Sequence, residues 1–217
     1  VARSRRLERR EAEAIACIEA FAREGPCYAG VSWGKDSTVL AHLVTMCSVT
    51  VPLVWVRVEP IANPDCSLVR DEFLSAHDIE YVELEVWCTW SDGEYHATGT
   101  LEQGFAEAGR RYGARHISGV RADESGARKT RMRRHGHNTR RTSAPIGWWT
   151  GEEVYAYLYR HALPVHPAYA MSLRGLLDRN RIRVASLGGK RGEGFGRAEW
   201  EQRYYPDAMR RLACPPD

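Results

Sequence analysis

A glycine, a lysine, an aspartate and two hydroxyls stand together in Ser32-Trp33-Gly34-Lys35-Asp36-Ser37-Thr38, a spacing suited to capturing a phosphate group. Gly34 permits a tight backbone turn, and free N–H groups at the start of a following helix carry partial positive charge that attracts phosphate oxygens. Lys35 adds a point charge, and Ser37 and Thr38 add hydroxyl donors. Asp36 is the odd member, because a carboxylate here repels an anion unless it caps the helix or holds a cation such as Mg²⁺. The flanking residues provide the elements that must position this loop. Cys27 to Val31 is an apolar run suited to a buried strand, and Val39, Leu40, Leu43 and Val44 fall at helical spacing. An ordinary strand-to-helix turn with Asp36 or Ser37 as N-cap is the competing explanation. A Walker A loop is excluded, since no Gly-x-x-x-x-Gly-Lys-Ser/Thr occurs in the chain.

A second group lies at Gly119-Val120-Arg121-Ala122-Asp123-Glu124-Ser125, with Arg128 close behind. A guanidinium just beyond a strand end can grip an anion through two parallel hydrogen bonds, as lysine cannot. A surface Arg–Glu pair is the alternative. The basic side chains Arg128, Lys129, Arg131, Arg133, Arg134, Arg140 and Arg141 then follow with His135 and His137 and with no acid among them. Such a block calls for phosphates or for solvent, and it reads here as a loop that either contacts a nucleic acid or is simply solvated. His135 and His137 read as solvated or phosphate-facing rather than as metal ligands.

The elements that carry these groups alternate. Residues 4–24 form a charged amphipathic helix with Leu7, Ile15, Ile18 and Phe21 near one face, stopped by Gly25-Pro26. Strands are expected over 27–31, 51–58, 81–86 and 115–120, and helices after the phosphate loop and over 66–77 and 101–112. The aromatic stretch with Trp87, Trp90 and Tyr95 lacks periodicity and reads as loop. Thr150 to Glu153 fits a capping box before a helix bearing Val154, Tyr157 and Leu158, stopped by Pro164. Trp148 and Trp149 read as packing residues at that helix entry. The order predicts an α/β fold with a doubly wound, mostly parallel sheet, whose ligands bind at the carboxyl ends of the strands. Gly188, Gly189, Gly192, Gly194 and Gly196 mark a lid or a loop.

At 217 residues the chain suits one domain over 1–217, with a core over 27–170 and a helical C-terminal extension over 171–217. Its 43% hydrophobic and 27% charged residues fit a globular protein and argue against wholesale disorder. The net charge of +3 hides the uneven distribution just described. Without a long apolar run or a signal-like N-terminus, the expected location is cytoplasmic, with no membrane partner. Val1 in place of Met leaves room for an upstream segment. Cys17, Cys27 and Cys47 read as core residues, and Cys66, Cys88 and Cys214 as candidates for exposure. Their scatter disfavours structural zinc, an iron–sulfur cluster and disulfides.

Ser32-Trp33-Gly34-Lys35-Asp36-Ser37 resembles the PP-loop (Ser-Gly-Gly-x-Asp-Ser) of N-type ATP pyrophosphatases, with Trp33 in place of the first glycine. The Gly119–Ser125 segment, Ala144-Pro145-Ile146-Gly147-Trp148-Trp149-Thr150 and Leu163-Pro164-Val165-His166-Pro167-Ala168-Tyr169 resemble three landmarks of the phosphoadenosine phosphosulfate (PAPS) reductase family. In order they cover residues 27–170. The resemblance implies the adenine nucleotide α-hydrolase fold and an enzyme that binds ATP with Mg²⁺. It implies nucleotide contacts at Ser32, Trp33, Gly34, Lys35, Asp36, Ser37, Thr38, Gly119 and Arg121, a metal contact at Asp36, and catalytic roles for Lys35, Asp36, Arg121 and Arg128. The chain departs from the sulfonucleotide reductases at its end, where Cys214-Pro215-Pro216-Asp217 replaces their Cys-Gly-Leu-His setting. It departs from cluster-bearing sulfur-inserting relatives at Ser186 to Gly189, where they carry Cys-x-x-Cys. The reading is therefore adenylation of an acceptor for sulfur transfer, with DNA phosphorothioation or RNA thiolation as settings. A partner such as a cysteine desulfurase would supply the sulfur, and 128–141 would contact the nucleic acid. Sulfonucleotide reduction and a non-catalytic nucleic-acid-binding subunit are the alternatives.

Overall fold

The computed structural model describes residues 2–91, 94–96, 98–175, 177–180, 182–188 and 197–213. In chain order the elements are α1 (Ala2–Arg23), β1 (Cys27–Gly30), α2 (Lys35–Thr45), β2 (Leu53–Glu59), α3 (Asp65–Ala76), β3 (Tyr81–Trp87), β4 (Thr89–Ser91), β5 (Glu94–His96), α4 (Thr98–Tyr112), β6 (Arg115–Ser118), α5 (Gly126–His135), β7 (Thr142–Ser143), α6 (Gly151–Arg160), α7 (Arg197–Tyr204) and α8 (Pro206–Ala213). Short 3₁₀ turns occupy Ala122–Glu124 and Pro167–Ala170. The main sheet runs β3-β2-β1-β6-β7, and all its pairings are parallel. Strand order reverses between β1 and β6, so their carboxyl ends form the crevice in which such sheets bind ligands.

The sheet is covered on both faces because its strands alternate between two cores. Leu53 and Trp55 join the buried cluster with Leu7, Ile18 and Phe21 of α1, Val39 and Leu40 of α2, Phe73 of α3 and Tyr157 of α6. Val54 and Val56 point the other way, into a smaller cluster with Tyr28, Leu84 and Ala108 of α4. Helix α6 starts as its sequence predicts: Glu153 N–H donates to Thr150 Oγ1 at 3.2 Å, and Thr150 N–H donates to Glu153 Oε2 at 2.8 Å. A further core holds the C-terminal part, where Tyr169, Val184, Leu187, Trp200 and Tyr205 pack on Val58 of β2 and on Ile61 just beyond it.

Three expectations need correction. The stretch read as loop after residue 87 holds an antiparallel hairpin, β4 with β5, and Trp90 packs edge-on against Tyr95 at 4.7 Å. The overlooked signal is Asp92-Gly93, a pair favoured in two-residue hairpin turns. Residues 126–135 of the basic block form helix α5 rather than a loop; Ser125 Oγ accepts from Arg128 N–H at 3.2 Å, and Gly136 at φ 68° ends the helix. Arginine, lysine and methionine favour helix, but with Met132 as its one buried residue α5 shows no apolar periodicity. Cys66 and Cys88 are buried, with thiols donating to the carbonyls of Val184 and Glu59, while Cys17 and Cys47 are half-buried rather than fully inside. Burial pushes the Cys66 thiol up to about 12. Cys214 and the glycines at 189, 192, 194 and 196 lie outside the described residues.

Candidate active site

The loop after β1 is built by its own hydroxyls. Ser37 Oγ accepts from Ser32 N–H at 3.1 Å and donates to the Gly34 carbonyl at 3.0 Å, and Thr38 Oγ1 donates to the same carbonyl at 3.1 Å. Trp33 takes a left-handed backbone, φ 58°, at the position where the resembled motif has glycine. That conformation costs a non-glycine residue about 1–2 kcal/mol. It is offset by complete burial of the indole, which packs on Phe73 at 5.5 Å and Tyr81 at 5.6 Å.

Lys35, Asp36 and Arg121 form a chain of charges at the β1–β6 crevice. Asp36 Oδ2 lies 2.9 Å from Lys35 Nζ, and Asp36 Oδ1 accepts from Arg121 Nε at 2.6 Å. The Lys35 and Arg121 side chains are 3% and 1% exposed, so both cations depend on partners rather than on water. Arg121 also donates to the Trp149 carbonyl at 3.2 Å and lies 3.4 Å from Asp123, while its backbone N–H donates to Glu124 at 2.9 Å. Gly119 lets the strands bring this group together: a Cβ there would sit 2.9 Å from the Asp36 carbonyl oxygen. Arg128, one turn along α5, pairs with Glu124 and is partly exposed.

The C-terminal part closes over the loop. Lys35 N–H donates to Tyr169 Oη at 3.0 Å, Lys35 Nζ donates to the Asn180 carbonyl at 3.3 Å and lies 5.3 Å from the Tyr169 ring centre. A Cβ at Gly34 would meet Val184 at 3.0 Å and Tyr169 Oη at 3.1 Å. Burial raises the Tyr169 phenol far above its ordinary range, opposed by the bond from Lys35 N–H, so it stays protonated.

A strand-loop-helix at the strand-order reversal of a parallel sheet is the architecture that comparison with solved structures also finds. The family model described as "Phosphoadenosine phosphosulfate reductase domain" matches residues 103–199. Among solved structures, PAPS reductase from Candida auris in a phosphate complex is similar at 12% identity, covering 74% of this chain and 85% of that one, with a TM-score of 0.52. An NH3-dependent NAD synthetase from Campylobacter jejuni, in complex with the nitrate ion, is similar at 12% identity over 76% of this chain and 77% of that one, also with a TM-score of 0.52. The family model covers 97 of the 217 residues, less than half of the chain, and the two solved structures show a shared fold. A comparison with curated proteins finds no match.

The crevice brings together Ser32, Gly34, Lys35, Asp36, Ser37, Gly119 and Arg121, and Arg128 reaches this group through Glu124, whose Oε2 also accepts from the Arg121 backbone N–H. Tyr169, Asn180 and Val184 are neighbours of the loop that motif reading did not single out as site residues. Tyr169 was visible as the end of a Leu-Pro-x-x-Pro-x-Tyr turn, whereas nothing in the sequence signals that Asn180 and Val184 return to the loop. Both oxygens of Asp36 already face cations, and among the described residues no group of three or more His, Cys, Asp or Glu side chains could hold a metal ion. Asp36 in this arrangement therefore does not fit a metal ligand. Among the described residues no helix is long and apolar enough to cross a membrane.

Helix α5 and the turn after it carry cations of another kind. The side chains of Lys129, Arg133, Arg134, His135, Arg140 and Arg141 make no hydrogen bond or ion pair with any described residue, and Arg131 donates to Thr142 Oγ1 at 2.8 Å. Ser118, Arg128, Arg131, His135 and Thr139 line a narrow cleft between α5 and the ends of β6 and β7. Its lining holds no carboxylate.

Proposed function

We propose that this chain is a PP-loop protein that cleaves ATP between the α and β phosphates and adenylates a nucleic-acid acceptor for sulfur transfer, either DNA at its backbone or RNA at a base. The observation that carries this reading is the Lys35–Asp36–Arg121 cluster between the loop after β1 and the segment after β6. The loop donors would hold the triphosphate. An acceptor oxygen attacks the α-phosphorus, forming an O–P bond, and pyrophosphate leaves with the electron pair of the broken P–O bond. Positioning and charge neutralisation by Lys35, Arg121 and Arg128 supply the rate, with no covalent intermediate on the protein. A sulfur nucleophile then displaces AMP from the acceptor. A partner of the cysteine desulfurase type would deliver that sulfur. Mg²⁺ normally neutralises a triphosphate, but Asp36 already bonds two cations, so no step is assigned to a metal here.

The unpaired cations of α5 favour a polyanionic acceptor, since a small acceptor would need few of them. A second reading, reduction of a sulfonucleotide, is favoured by the description of the matching family model. It would need Cys214. A binding subunit without turnover would keep the basic helix and dispense with Lys35 and Asp36.

Pyrophosphate release from ATP by the purified protein, with and without DNA, RNA and a sulfur donor, separates these readings. Release of pyrophosphate and AMP, lowered at least about 100-fold by Lys35→Ala, is expected. ADP and phosphate as products, or no ATP binding, would sink the proposal.

A further inference from the structure

Lys35 has two donor groups that a phosphate would use, and each is engaged by a neutral oxygen of the chain itself, the ammonium also by Asp36 at 2.9 Å. Its backbone N–H, at the first turn of an 11-residue helix, donates to the Tyr169 hydroxyl at 3.0 Å, and its ammonium donates to the Asn180 carbonyl at 3.3 Å. Lys35 is 3% exposed, Ser37 7% and Thr38 1%, so the loop offers almost no donor to an anion arriving from solvent. We propose, resting on the reading that this loop binds ATP, that Tyr169 and the Asn180 carbonyl stand in for phosphate oxygens, and that nucleotide binding displaces them and frees residues 167–175.

The roof over the loop has two parts of unequal attachment. Residues 184–187 are stitched to the segment after β2: Leu187 N–H donates to the Ile61 carbonyl at 2.7 Å, Asn63 N–H donates to the Ala185 carbonyl at 3.2 Å, and the Cys66 thiol donates to the Val184 carbonyl at 3.5 Å. Tyr169 is held by side-chain packing in the C-terminal core, edge-on to Tyr155 at 5.9 Å and to His166 at 6.2 Å, and by its bond to Lys35, and its stretch is tied to α7 by one bond, from Trp200 Nε1 to the Met171 carbonyl at 2.5 Å. Tyr155 in turn lies under the Arg179 guanidinium at 4.6 Å and donates to the Arg179 carbonyl at 3.4 Å. The piece that can yield is therefore the stretch bearing Tyr169, which gives up the single Trp200 bond to the Met171 carbonyl, with 179–180 following through Tyr155, while 184–187, held by those three bonds, stays in place. A phosphate is the better partner for both Lys35 donors, because a charged acceptor forms roughly twice as strong a bond as a neutral one. Exchanging two neutral oxygens for phosphate oxygens has a cost, the loss of the closed form, which lowers the apparent affinity of the resting protein.

Tyr169→Phe keeps the ring and removes the competing oxygen. Calorimetry with inorganic pyrophosphate and with ATP should show about three- to tenfold tighter binding than the parent, the effect of one net hydrogen bond. Hydrogen exchange should show residues 167–175 losing protection when the parent binds either ligand, and the Lys35 amide exchanging faster in free Tyr169→Phe than in the free parent. Weaker or unchanged binding by Tyr169→Phe would overturn the proposal, as would unchanged protection of 167–175 on binding. If the ligands bind and the segment responds but no pyrophosphate is released, the exchange stands and the ATP-cleavage reading falls. If pyrophosphate is released and Tyr169→Phe binds no tighter, the exchange falls and the cleavage reading stands.

Discussion

Arginines at the two edges of the sheet sit in opposite surroundings. At the β3 edge, Arg57 on β2 pairs with Glu59, Glu83 and Glu85, and Arg70 of α3 pairs with Glu83 at 2.7 Å and Asp71 at 2.8 Å. At the β7 edge, Lys129, Arg133, Arg134, Arg140 and Arg141 meet no acid among the described residues. The parallel register explains the first case, since Arg57 lies beside Glu85 and its neighbours at two-residue spacing share its face. The second is a helix and following turn with no acid from 125 to 141, and among the described residues only Arg128 finds a carboxylate, Glu124. The difference teaches that charge balance within one element separates a cation that serves the fold from one left for a partner. Arg121 belongs to neither edge: it is buried and paired, yet it stands at the crevice.

The largest effect should come from breaking that buried pairing. Arg121→Ala removes a partner of Asp36 Oδ1 and of the Trp149 carbonyl, and removing one side of a buried ion pair costs about 3 kcal/mol or more. Urea unfolding of Arg121→Ala should show that loss, and Arg121→Lys should recover little, because an ammonium cannot donate to both partners in the same plane. A loss below about 1 kcal/mol would put Arg121 with the surface arginines.

How far this contrast could be read from the sequence follows from the same physics. The acid-free run after Arg128, the strand-loop-helix of residues 27–45 and the capping box at Thr150 are local features, and each depends on residues a few positions apart. The parallel sheet follows from their alternation, whereas its strand order, β3-β2-β1-β6-β7, does not. The helical state of α5 was hidden because its exposed residues have no apolar period. The pairing of Asp36 with Arg121 spans 85 positions, and that of Lys35 with Tyr169 spans 134, so neither leaves a local pattern. Trp33 is intermediate. Its departure from glycine is visible in sequence, while the compensating contacts with Phe73 and Tyr81 are not.

A smaller effect should appear on acidification, through histidines that the fold keeps neutral. His42 sits among His77, His161 and Tyr157; burial first, then repulsion from His161 and His77, lowers it from 6.5 to about 4. Glu11 also faces this group through His161, at 3.3 Å. Because the folded value lies below the unfolded one, the unfolded chain binds more protons between about pH 4 and 6.5, and stability falls as pH drops through that window. The melting temperature of the parent should decline from pH 7 to pH 4.5, and His42→Gln should decline less steeply. Identical slopes would mean that the cluster already accommodates the charge.

The smallest effect on stability, and the most informative about function, should come from the unpaired edge. Lys129→Ala, Arg133→Ala and Arg134→Ala made together remove side chains that bond to none of the described residues, so unfolding free energy should change by less than about 0.5 kcal/mol per site. Nucleic-acid binding should respond differently. If these cations neutralise phosphates, each releases counterions on binding, and the slope of log K against log salt should become shallower by about 2–3 for duplex DNA, or about 2 for single strands. ATP binding should be unaffected, because Lys35 and Arg121 make no contact with these side chains. A triple variant that loses stability would place α5 with the β3 edge. One that keeps both stability and salt slope would leave the helix merely solvated and return the acceptor to a small molecule. Equal loss for DNA and RNA would mean that α5 reads only the phosphates, so any choice between them would have to be made at the crevice itself.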